Sequence, residues 1–313
     1  MPVRLPPLTE RAPRILFEGI VDYAGLYPPA ALAMAAAVRN YAHYRGGGTA
    51  WLLGRFVCPA DALELFSRKA DALLPRDAGA IPWRLALIGS GNVAADMQAI
   101  ADFNERHRVC FDEVAAVVDA YEVRATTREQ IAQLDAEIPR DMLTYIEVPL
   151  AADAPSLIAA VANAGRRVKL RMGGVTVDAF PDRAALVAAL AACVTNDVPA
   201  KATAGLHHLL RGSYPVTDDV SAPTGDMFGF LNVFLSAALL ATGGTTDDAV
   251  RLLNERDSST FELNDHSIAW HDGDAVHHFD RALLQRVRES VLVSFGSCSF
   301  TEPVDESRRA GFV

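Results

Sequence analysis

The sequence predicts an α/β fold of the (β/α)8-barrel type. Seven times, a short apolar run rich in strand-forming residues is followed by a loop and an alanine-rich helical segment. These units recur about every 20 to 35 residues, which is typical of parallel strands joined by helical crossovers. Several runs are almost continuously apolar, as in a sheet that is covered on both faces. An open doubly wound parallel sheet is the alternative, although no GxGxxG motif follows the first strand.

The predicted strands share this apolar character, and each ends before a loop. In chain order they cover residues 14–25, 49–58, 83–91, 112–124, 143–150, 166–174 and 198–205. A closed barrel needs an eighth strand, which we expect within STFELNDHSIAWH, residues 258–271, before a final helix over 280–293. We therefore predict one domain over residues 1–313, with loose termini at 1–13 and 302–313.

Residues 206–258 form a predicted insertion after the seventh strand, because they exceed an ordinary connection in length. Its first part, 206–227, is rich in Gly, Pro, Ser, Thr and Asp. We expect this part to cover the strand ends as a lid, and a surface excursion that contacts a neighbouring subunit is the alternative. The apolar run 227–241 is too short to span a bilayer and predicts a buried helix, which suggests a homo-oligomer.

Composition and charge restrict the partners. The chain has 313 residues, of which 50% are hydrophobic and 22% charged, and its net charge of −10 argues against a nucleic-acid or anionic-membrane partner. Its four cysteines form no CxxC pair, and the first residues, MPVRLPPLTERAPR, are polar and rich in proline. We therefore expect a cytoplasmic protein with reduced thiols that binds a small molecule.

Three consecutive predicted strands carry charged side chains on the face that strand alternation assigns to the barrel interior. Glu147 lies on the fifth strand, Lys169 and Arg171 on the sixth, and Lys201 with Thr203 on the seventh. All lie near the C-terminal ends of their strands, where barrel enzymes have their active sites. One glutamate cannot neutralise two lysines and an arginine, so we expect an anionic ligand. A closed network of ion pairs is the alternative.

The segment KATAG, residues 201–205, resembles the KTSTG segment of deoxyribose-phosphate aldolases, whose lysine forms a Schiff base at the end of a barrel strand. The resemblance implies a class I aldolase reaction with Lys201 as the nucleophile and Lys169 as the second lysine. In that family the second lysine lies on the following strand, whereas Lys169 lies on the preceding one, so either lysine is a candidate. Two ammonium groups in a site of low dielectric constant also favour the loss of one proton.

Other polar residues complete the predicted site. Glu147 and His207 are candidates for proton transfer, and Arg171 for binding an anionic group. The further predicted substrate contacts are Asp22, Gly173, Gly174, Thr203, His208 and Arg211. We interpret Cys298 as a buried thiol in a C-terminal turn. No cofactor is expected, and a metal ion is the alternative. Its ligand would be His207 or His208, because the other segment with possible ligands, HDGD at 271–274, is typical of a hairpin turn.

Together these features predict a lyase of the aldolase type that acts on a small anionic carbonyl metabolite through a lysine imine. Two alternatives stay open. One is a lyase or isomerase that stabilises an enolate without covalent attachment, with or without a metal ion. The other is a non-catalytic binding or scaffold protein on a barrel fold, for which we expect closed salt bridges and no cavity at the strand ends.

Overall fold

Eight parallel strands form a closed barrel in the computed structural model, which describes residues 11–77, 79–110, 113–217 and 219–313. This architecture confirms the predicted (β/α)8 fold. The barrel strands are β1 Val21–Tyr23, β2 Leu53–Pro59, β3 Trp83–Ile88, β4 Ala116–Arg124, β5 Thr144–Val148, β6 Arg167–Arg171, β7 Ala200–Thr203 and β8 Leu292–Ser297. Each strand pairs with its neighbours in chain order, and β1 closes the barrel by pairing with both β2 and β8.

Helices lie between and beyond the strands. They are α1 Ala12–Phe17, α2 Met34–Arg45, α3 Leu63–Ala70, α4 Val93–Arg106, α5 Arg128–Glu137, α6 Ala154–Asn163, α7 Arg183–Thr195, α8 Phe230–Ala241, α9 Thr246–Asn254, α10 Arg281–Ser290 and α11 Thr301–Arg309. Short 3₁₀ helices occur at Ala50–Leu52, Ala60–Ala62, Asp71–Leu73, Val177–Ala179 and Ser258–Thr260. Polar caps start several of the helices: Thr127 caps α5 by accepting a hydrogen bond from the Gln130 N–H.

The apolar core lies mostly between the barrel and its helices. Alternate strand residues face this layer and are fully buried, among them Leu85, Leu87, Ile146, Val168 and Leu170. A separate, small apolar cluster lies inside the barrel around Ala86, Ala120 and Tyr145. Strand alternation therefore divides each strand into an apolar outer face and an inner face on which charged side chains predominate.

The chain termini differ from the sequence prediction. Residues 14–25 are not one strand: α1 covers their first part, and β1 contains only the three residues from Val21 to Tyr23. The predicted loose segment 302–313 is mostly helix α11, and beyond it Phe312 is buried with its ring 5.6 Å from that of Phe17. Of the predicted loose segment 1–13, residues 1–10 lie outside the described part of the chain.

The eighth strand was predicted in the wrong place. Residues 258–271 contribute Phe261–Leu263 and Ser267–Asp272 to a small antiparallel sheet, which Ala275–Asp280 completes through the hairpin predicted at HDGD. The strand that closes the barrel is β8, in the segment interpreted as a C-terminal turn. Its small polar residues resemble those of a turn. One of them, Ser294, faces the barrel interior, where it leaves room for charged neighbours and donates a hydrogen bond to Asp22 at 2.9 Å.

The insertion between β7 and β8 is longer than predicted, because it extends to the start of β8. It begins with a hairpin of Gly212–Pro215 and Thr224–Met227, within the segment predicted to be a lid, and continues with α8 and α9.

Another two-stranded pair, Arg108–Cys110 with Glu113–Val114, precedes β4. None of the described helices is both long and apolar enough to cross a membrane.

Helix α8 is enclosed by its own chain. Its residues from Phe230 to Leu240 are all buried, and it packs against α7, α9, α10 and β8. The apolar character of residues 227–241 therefore reflects burial within the protomer, and it gives no support to the predicted homo-oligomer.

Asn232 is fully buried in α8 and completes backbone hydrogen bonds of the insertion. Its Oδ1 accepts from the Arg211 N–H at 2.8 Å, and its Nδ2 donates to the carbonyl oxygens of Leu252 and Glu255. We expect Asn232→Leu to lower the free energy of unfolding by about 2–4 kcal/mol, because it leaves these buried backbone groups unsatisfied. Urea denaturation measures this change. The exposed Asn163→Leu is the control, with an expected loss below about 0.5 kcal/mol.

Candidate active site at the mouth of the barrel

A cavity of about 450 Å³, here called the main cavity, opens at the C-terminal ends of the barrel strands. Its polar lining residues are Tyr27, Glu122, Arg124, Glu147, Lys169, Arg171, Lys201, Thr203, His207 and Cys298. Val57, Ile88, Val123 and Val175 provide apolar wall. The four charged residues predicted on β5, β6 and β7 thus lie together at one cavity, as strand alternation indicated.

Six charged side chains, which extend from beneath the cavity floor to its rim, form a linear sequence of alternating sign, here called the ion-pair chain. In order of contact they are Asp22, Lys201, Glu122, Lys169, Glu147 and Arg171. The Lys201 ammonium contacts a carboxylate oxygen of Asp22 and one of Glu122 at 2.6 Å each. Lys169 contacts the other Glu122 oxygen at 2.8 Å. Glu122 therefore bridges the two lysines.

The second half of the ion-pair chain becomes more exposed to solvent toward Arg171. Lys169 contacts Glu147 at 3.1 Å, and Glu147 accepts a hydrogen bond from Arg171 at 3.1 Å. The Arg171 side chain is 53% exposed, whereas those of Lys169 and Glu147 are 5% and 9% exposed. Arg171 thus stands at the rim, together with the exposed Arg124. Both guanidinium groups are accessible to a ligand.

The two lysines do not activate each other as the sequence suggested. Burial by itself lowers the pKa of Lys201, but Asp22 and Glu122 outweigh burial and raise it above its ordinary value. Burial by itself raises the pKa of Glu122, because it disfavours the charged carboxylate, but Lys169 and Lys201 outweigh burial and lower this pKa to about 2. Of the two candidates for the loss of a proton, Lys201 is therefore disfavoured, because the carboxylates of Asp22 and Glu122 stabilise its charge.

The expected charge surplus is also smaller than predicted. Asp22 and Glu122 join Glu147, so the ion-pair chain itself is neutral. Below it in the barrel, Asp119 accepts from Arg55 at 2.6 Å and is also paired with Arg84. The Arg55 backbone N–H donates to Asp22 at 2.8 Å, which connects this group to the ion-pair chain.

Of the two buried lysines, Lys169 has the weaker ion pairs. The cations are Arg55, Arg84, Lys169, Arg171 and Lys201, and the carboxylates are Asp22, Asp119, Glu122 and Glu147. The one positive charge in excess lies where Arg55 and Arg84 share Asp119, and the side chains of Arg84 and Arg171 are partly exposed to solvent. Both carboxylates that Lys169 contacts are shared with another cation, and both contacts are longer than those of Lys201. The Lys169 ammonium is thus held more weakly than that of Lys201.

Tyr27 lines the main cavity and has an unsatisfied hydroxyl group. Its Oη is buried and has no hydrogen-bond partner among the described residues. A turn after β1 fixes the residue, since its N–H donates to Ala24 and its carbonyl accepts from Ala31, each at 2.9 Å. Burial, together with nearby Cys58 and Glu122, raises the pKa of Tyr27. The phenol is therefore a neutral donor that a ligand oxygen could satisfy.

His207 lies at the edge of the main cavity, beside residues of the β8 end. Its Nδ1 is 3.1 Å from the Ser297 hydroxyl, 3.8 Å from the Cys298 sulfur and 3.7 Å from a Glu302 oxygen. Burial and the neighbouring His208 lower the pKa of His207 to about 4. The imidazole is therefore neutral at pH 7 and can accept or donate a hydrogen bond.

The other residues predicted to contact the substrate do not all line the main cavity. Gly174 and Thr203 line the main cavity, whereas Gly173 is covered by the ring of Phe180. Asp22 lies beneath the floor, held by Lys201, Ser294 and Arg55.

Two predicted contacts lie away from the main cavity. His208 is paired with Glu306 at 2.8 Å and stacked on Tyr214. Arg211 is paired with Asp226 at 2.9 Å over the ring of Phe228, and it lines neither the main cavity nor the cavity next to it. The prediction that Arg211 binds substrate therefore lacks a geometric basis.

Within the described residues, no group of three or more His, Cys, Asp and Glu side chains is arranged to hold a metal ion. His207 and His208 share no carboxylate, because His207 is near Glu302 and His208 is paired with Glu306.

Sequence reasoning missed Glu122, Arg124 and Tyr27. Glu122 lies near the C-terminal end of β4, so the criterion that selected Glu147 would have found it. Alternation in β4 was hard to apply because its pairing with β3 skips Asp119. No sequence pattern distinguishes Tyr27 from a packing residue, because only the tertiary structure leaves its hydroxyl without a partner.

No family model matches the sequence, and a search of the curated proteins gives no match either. The resemblance of KATAG to the aldolase segment therefore stays a prediction, and the geometry of the main cavity carries the functional argument.

We expect Lys201→Met to lower the free energy of unfolding by about 3–5 kcal/mol at pH 7, because it leaves the buried carboxylates of Asp22 and Glu122 facing each other. The carboxylates of the variant should then take up protons more readily when folded than when unfolded. Its deficit relative to wild type should therefore shrink as the pH falls from 7 to 5.

Urea denaturation at several pH values measures both effects. Lys69→Met, which removes an exposed lysine of α3, is the control and should change the stability by less than about 0.5 kcal/mol at either pH. A deficit of Lys201→Met that grows on acidification would contradict this account of the cavity floor.

Proposed function

We propose that this protein is an enzyme that cleaves or forms a carbon–carbon bond in a small anionic carbonyl compound through an imine on Lys169. The observation that carries the proposal is the joint presence, inside one cavity at the barrel mouth, of two buried lysines that share the carboxylate of Glu122. The C-terminal mouth is where barrel enzymes have their active sites.

The balance of charge favours Lys169 over Lys201 as the nucleophile. An amine attacks a carbonyl carbon only when it is neutral. When Lys169 is neutral, Glu122 keeps its contact with Lys201 and Glu147 keeps its contact with Arg171, whereas a neutral Lys201 would leave Asp22 and Glu122 without their closest cation. Lys201 instead serves as a permanent cation that keeps Glu122 ionised.

The carboxylates beside Lys169 can move the protons that the reaction requires. Attack of the Lys169 amine on the carbonyl carbon gives a carbinolamine, which loses water to form an iminium ion. Removal of a proton from the β-hydroxyl group then breaks the carbon–carbon bond, releases an aldehyde and leaves an enamine. Glu147 contacts Lys169 at 3.1 Å and borders the cavity, so it is placed to accept and return these protons.

The rim arginines favour an anionic substrate. Arg171 and Arg124 line the main cavity and are accessible, and a planar guanidinium can bind a carboxylate through two hydrogen bonds. Apolar side chains at Val57, Ile88 and Val175 leave room for a short carbon skeleton between this rim and the lysines. A small oxo acid fits this arrangement of charges and walls.

Tyr27 has a role in the same reaction. Its buried hydroxyl can donate a hydrogen bond to the oxygen of the substrate carbonyl group or of the carbinolamine. Because burial raises the pKa of the phenol, it remains protonated and acts as a hydrogen-bond donor to an oxygen that becomes more negative.

A second candidate function is enolate stabilisation without a covalent intermediate. The raised pKa of Lys201 favours it, because a fixed buried cation stabilises a negative charge that develops nearby. A non-catalytic barrel is favoured less, because the strand-end charges are paired but a cavity of about 450 Å³ lies directly above them.

Imine formation can be tested by borohydride reduction in the presence of pyruvate, glyoxylate or short aldehydes. The chain has three lysines, Lys69, Lys169 and Lys201, so peptide mass spectrometry can assign an adduct without ambiguity. We expect a reduced adduct on Lys169 in the wild type and none in Lys169→Met. Lys69→Met is the matched control and should retain the full adduct.

The possible results separate the two candidate functions. An adduct on Lys201 instead of Lys169 would refute the argument from charge balance. Absence of any specific adduct, together with exchange of the α-protons of a bound oxo acid into deuterated water, would favour enolate stabilisation. Neither adduct nor exchange with any of these compounds would contradict the proposed chemistry.

We expect Tyr27→Phe to slow formation of the Lys169 adduct about 10- to 100-fold without loss of stability. The phenylalanine keeps the ring and removes only a buried hydroxyl that has no partner in the described structure, so the free energy of unfolding should change by at most about 1 kcal/mol. Adduct yield against time and urea denaturation measure the two effects. An unchanged rate would exclude Tyr27 from the reaction.

A further inference from the structure

A second cavity, of about 320 Å³, adjoins the main cavity. It lies between the loop after β1, helix α2, the hairpin of the insertion and the start of α11. Gly174, His207 and Cys298 line both cavities. The two cavities are therefore neighbours that share these three residues as a common wall.

The second cavity differs from the main cavity in its chemistry. No lysine or arginine is among its described lining residues. Instead, neutral hydroxyl and amide groups converge on it, from Tyr23, Asn40, Tyr44, Thr217, Ser299 and Thr301. Glu302 adds carboxylate oxygens, which accept hydrogen bonds from hydroxyl groups. The lining thus suits a neutral, hydroxylated ligand and disfavours a phosphate or a second carboxylate.

We infer that the second cavity binds a polyhydroxylated tail of the substrate whose anionic head occupies the main cavity. This inference rests on the proposed function for the position of the head and specifies the rest of the substrate. The substrate class is a linear hydroxylated oxo acid of about six carbons. Cleavage of its carbon–carbon bond would leave the charged fragment on Lys169 and a neutral hydroxyaldehyde in the second cavity.

The residues between the two cavities suit a substrate with an anionic head in the main cavity and a neutral tail in the second. His207 is neutral at pH 7, because burial and His208 lower its pKa to about 4, so it adds no charge where the neutral tail passes. On the far side, the Tyr44 ring lies 4.9 Å from the Phe300 ring, so the cavity has an aromatic surface beside its hydroxyl groups. Hydroxylated carbon chains present both C–H and O–H groups, and this lining can contact both.

Three hydroxy acids test the inference without any imine, because none has a carbonyl group that can react with a lysine. Lactate provides the anionic head alone, D-gluconate is a six-carbon acid with a hydroxylated tail, and 2-hydroxyhexanoate is a six-carbon acid with an apolar tail. Isothermal titration calorimetry gives the dissociation constants. We expect D-gluconate to bind wild type at least tenfold more tightly than lactate, and 2-hydroxyhexanoate to bind within about threefold of lactate.

Ala30→Trp should fill the second cavity, since Ala30 is a small, half-buried residue of its wall. We expect this variant to bind D-gluconate no more tightly than lactate, with the lactate affinity unchanged. Ala33→Trp is the matched control, because Ala33 is exposed and lines neither cavity, and it should behave as wild type. If Ala30→Trp does not fold, Asn40→Leu replaces the amide with an apolar group of the same branched shape and should weaken only D-gluconate, by threefold or more.

The remaining results would overturn the inference. Equal affinities of lactate and D-gluconate, or an equal effect of Ala30→Trp on both, would show that the second cavity binds no tail. A 2-hydroxyhexanoate affinity equal to that of D-gluconate would show that the tail is apolar, and failure of all three acids to bind at millimolar concentration would exclude hydroxy acids. Since none of these acids forms an imine, failure to trap Lys169 would contradict only the proposed chemistry.

Discussion

The pairing of Glu122 with two lysines is the interaction on which the rest of the barrel interior depends. A buried ammonium group is stable only when carboxylates compensate for its lost hydration, and Glu122 does so for Lys169 and Lys201 at once. It lies on β4 while the lysines lie on β6 and β7, so the contact crosses the barrel. Fold and site are thus coupled: the barrel holds the charges together, and the charges fill its centre.

This arrangement explains why the inner and outer faces of the barrel differ. The outer face packs against helices with apolar residues, whereas the inner face has only a small apolar cluster around Tyr145. The Tyr145 ring lies 5.4 Å from the Lys201 ammonium and thus adds a cation–π contact to the two carboxylates. An interior of this kind raises the pKa of Lys201, whereas Lys169 has longer contacts with its carboxylates and lies next to the cavity.

Sequence reasoning succeeded where a local period carries the information. Alternation along single strands assigned Glu147, Lys169 and Lys201 to the interior, and their positions near the strand ends indicated the barrel mouth. It failed where the decisive contact crosses the barrel: the effect of Asp22 and Glu122 on Lys201 reverses the expected direction of its pKa. It also failed at β8, where small polar residues that accommodate buried charges resemble a turn.

The amino-acid sequence by itself determined the (β/α)8 architecture, because each βα unit has its own apolar period and its own turn residues. It also determined which face of β5, β6 and β7 carries charge. Only the tertiary structure decided how those charges are compensated, which hydroxyl is left without a partner at Tyr27, and that a second cavity with no lysine or arginine among its described lining residues adjoins the first. The physical reason is that electrostatic compensation and cavity shape depend on distances between residues far apart in the chain, which no local pattern specifies.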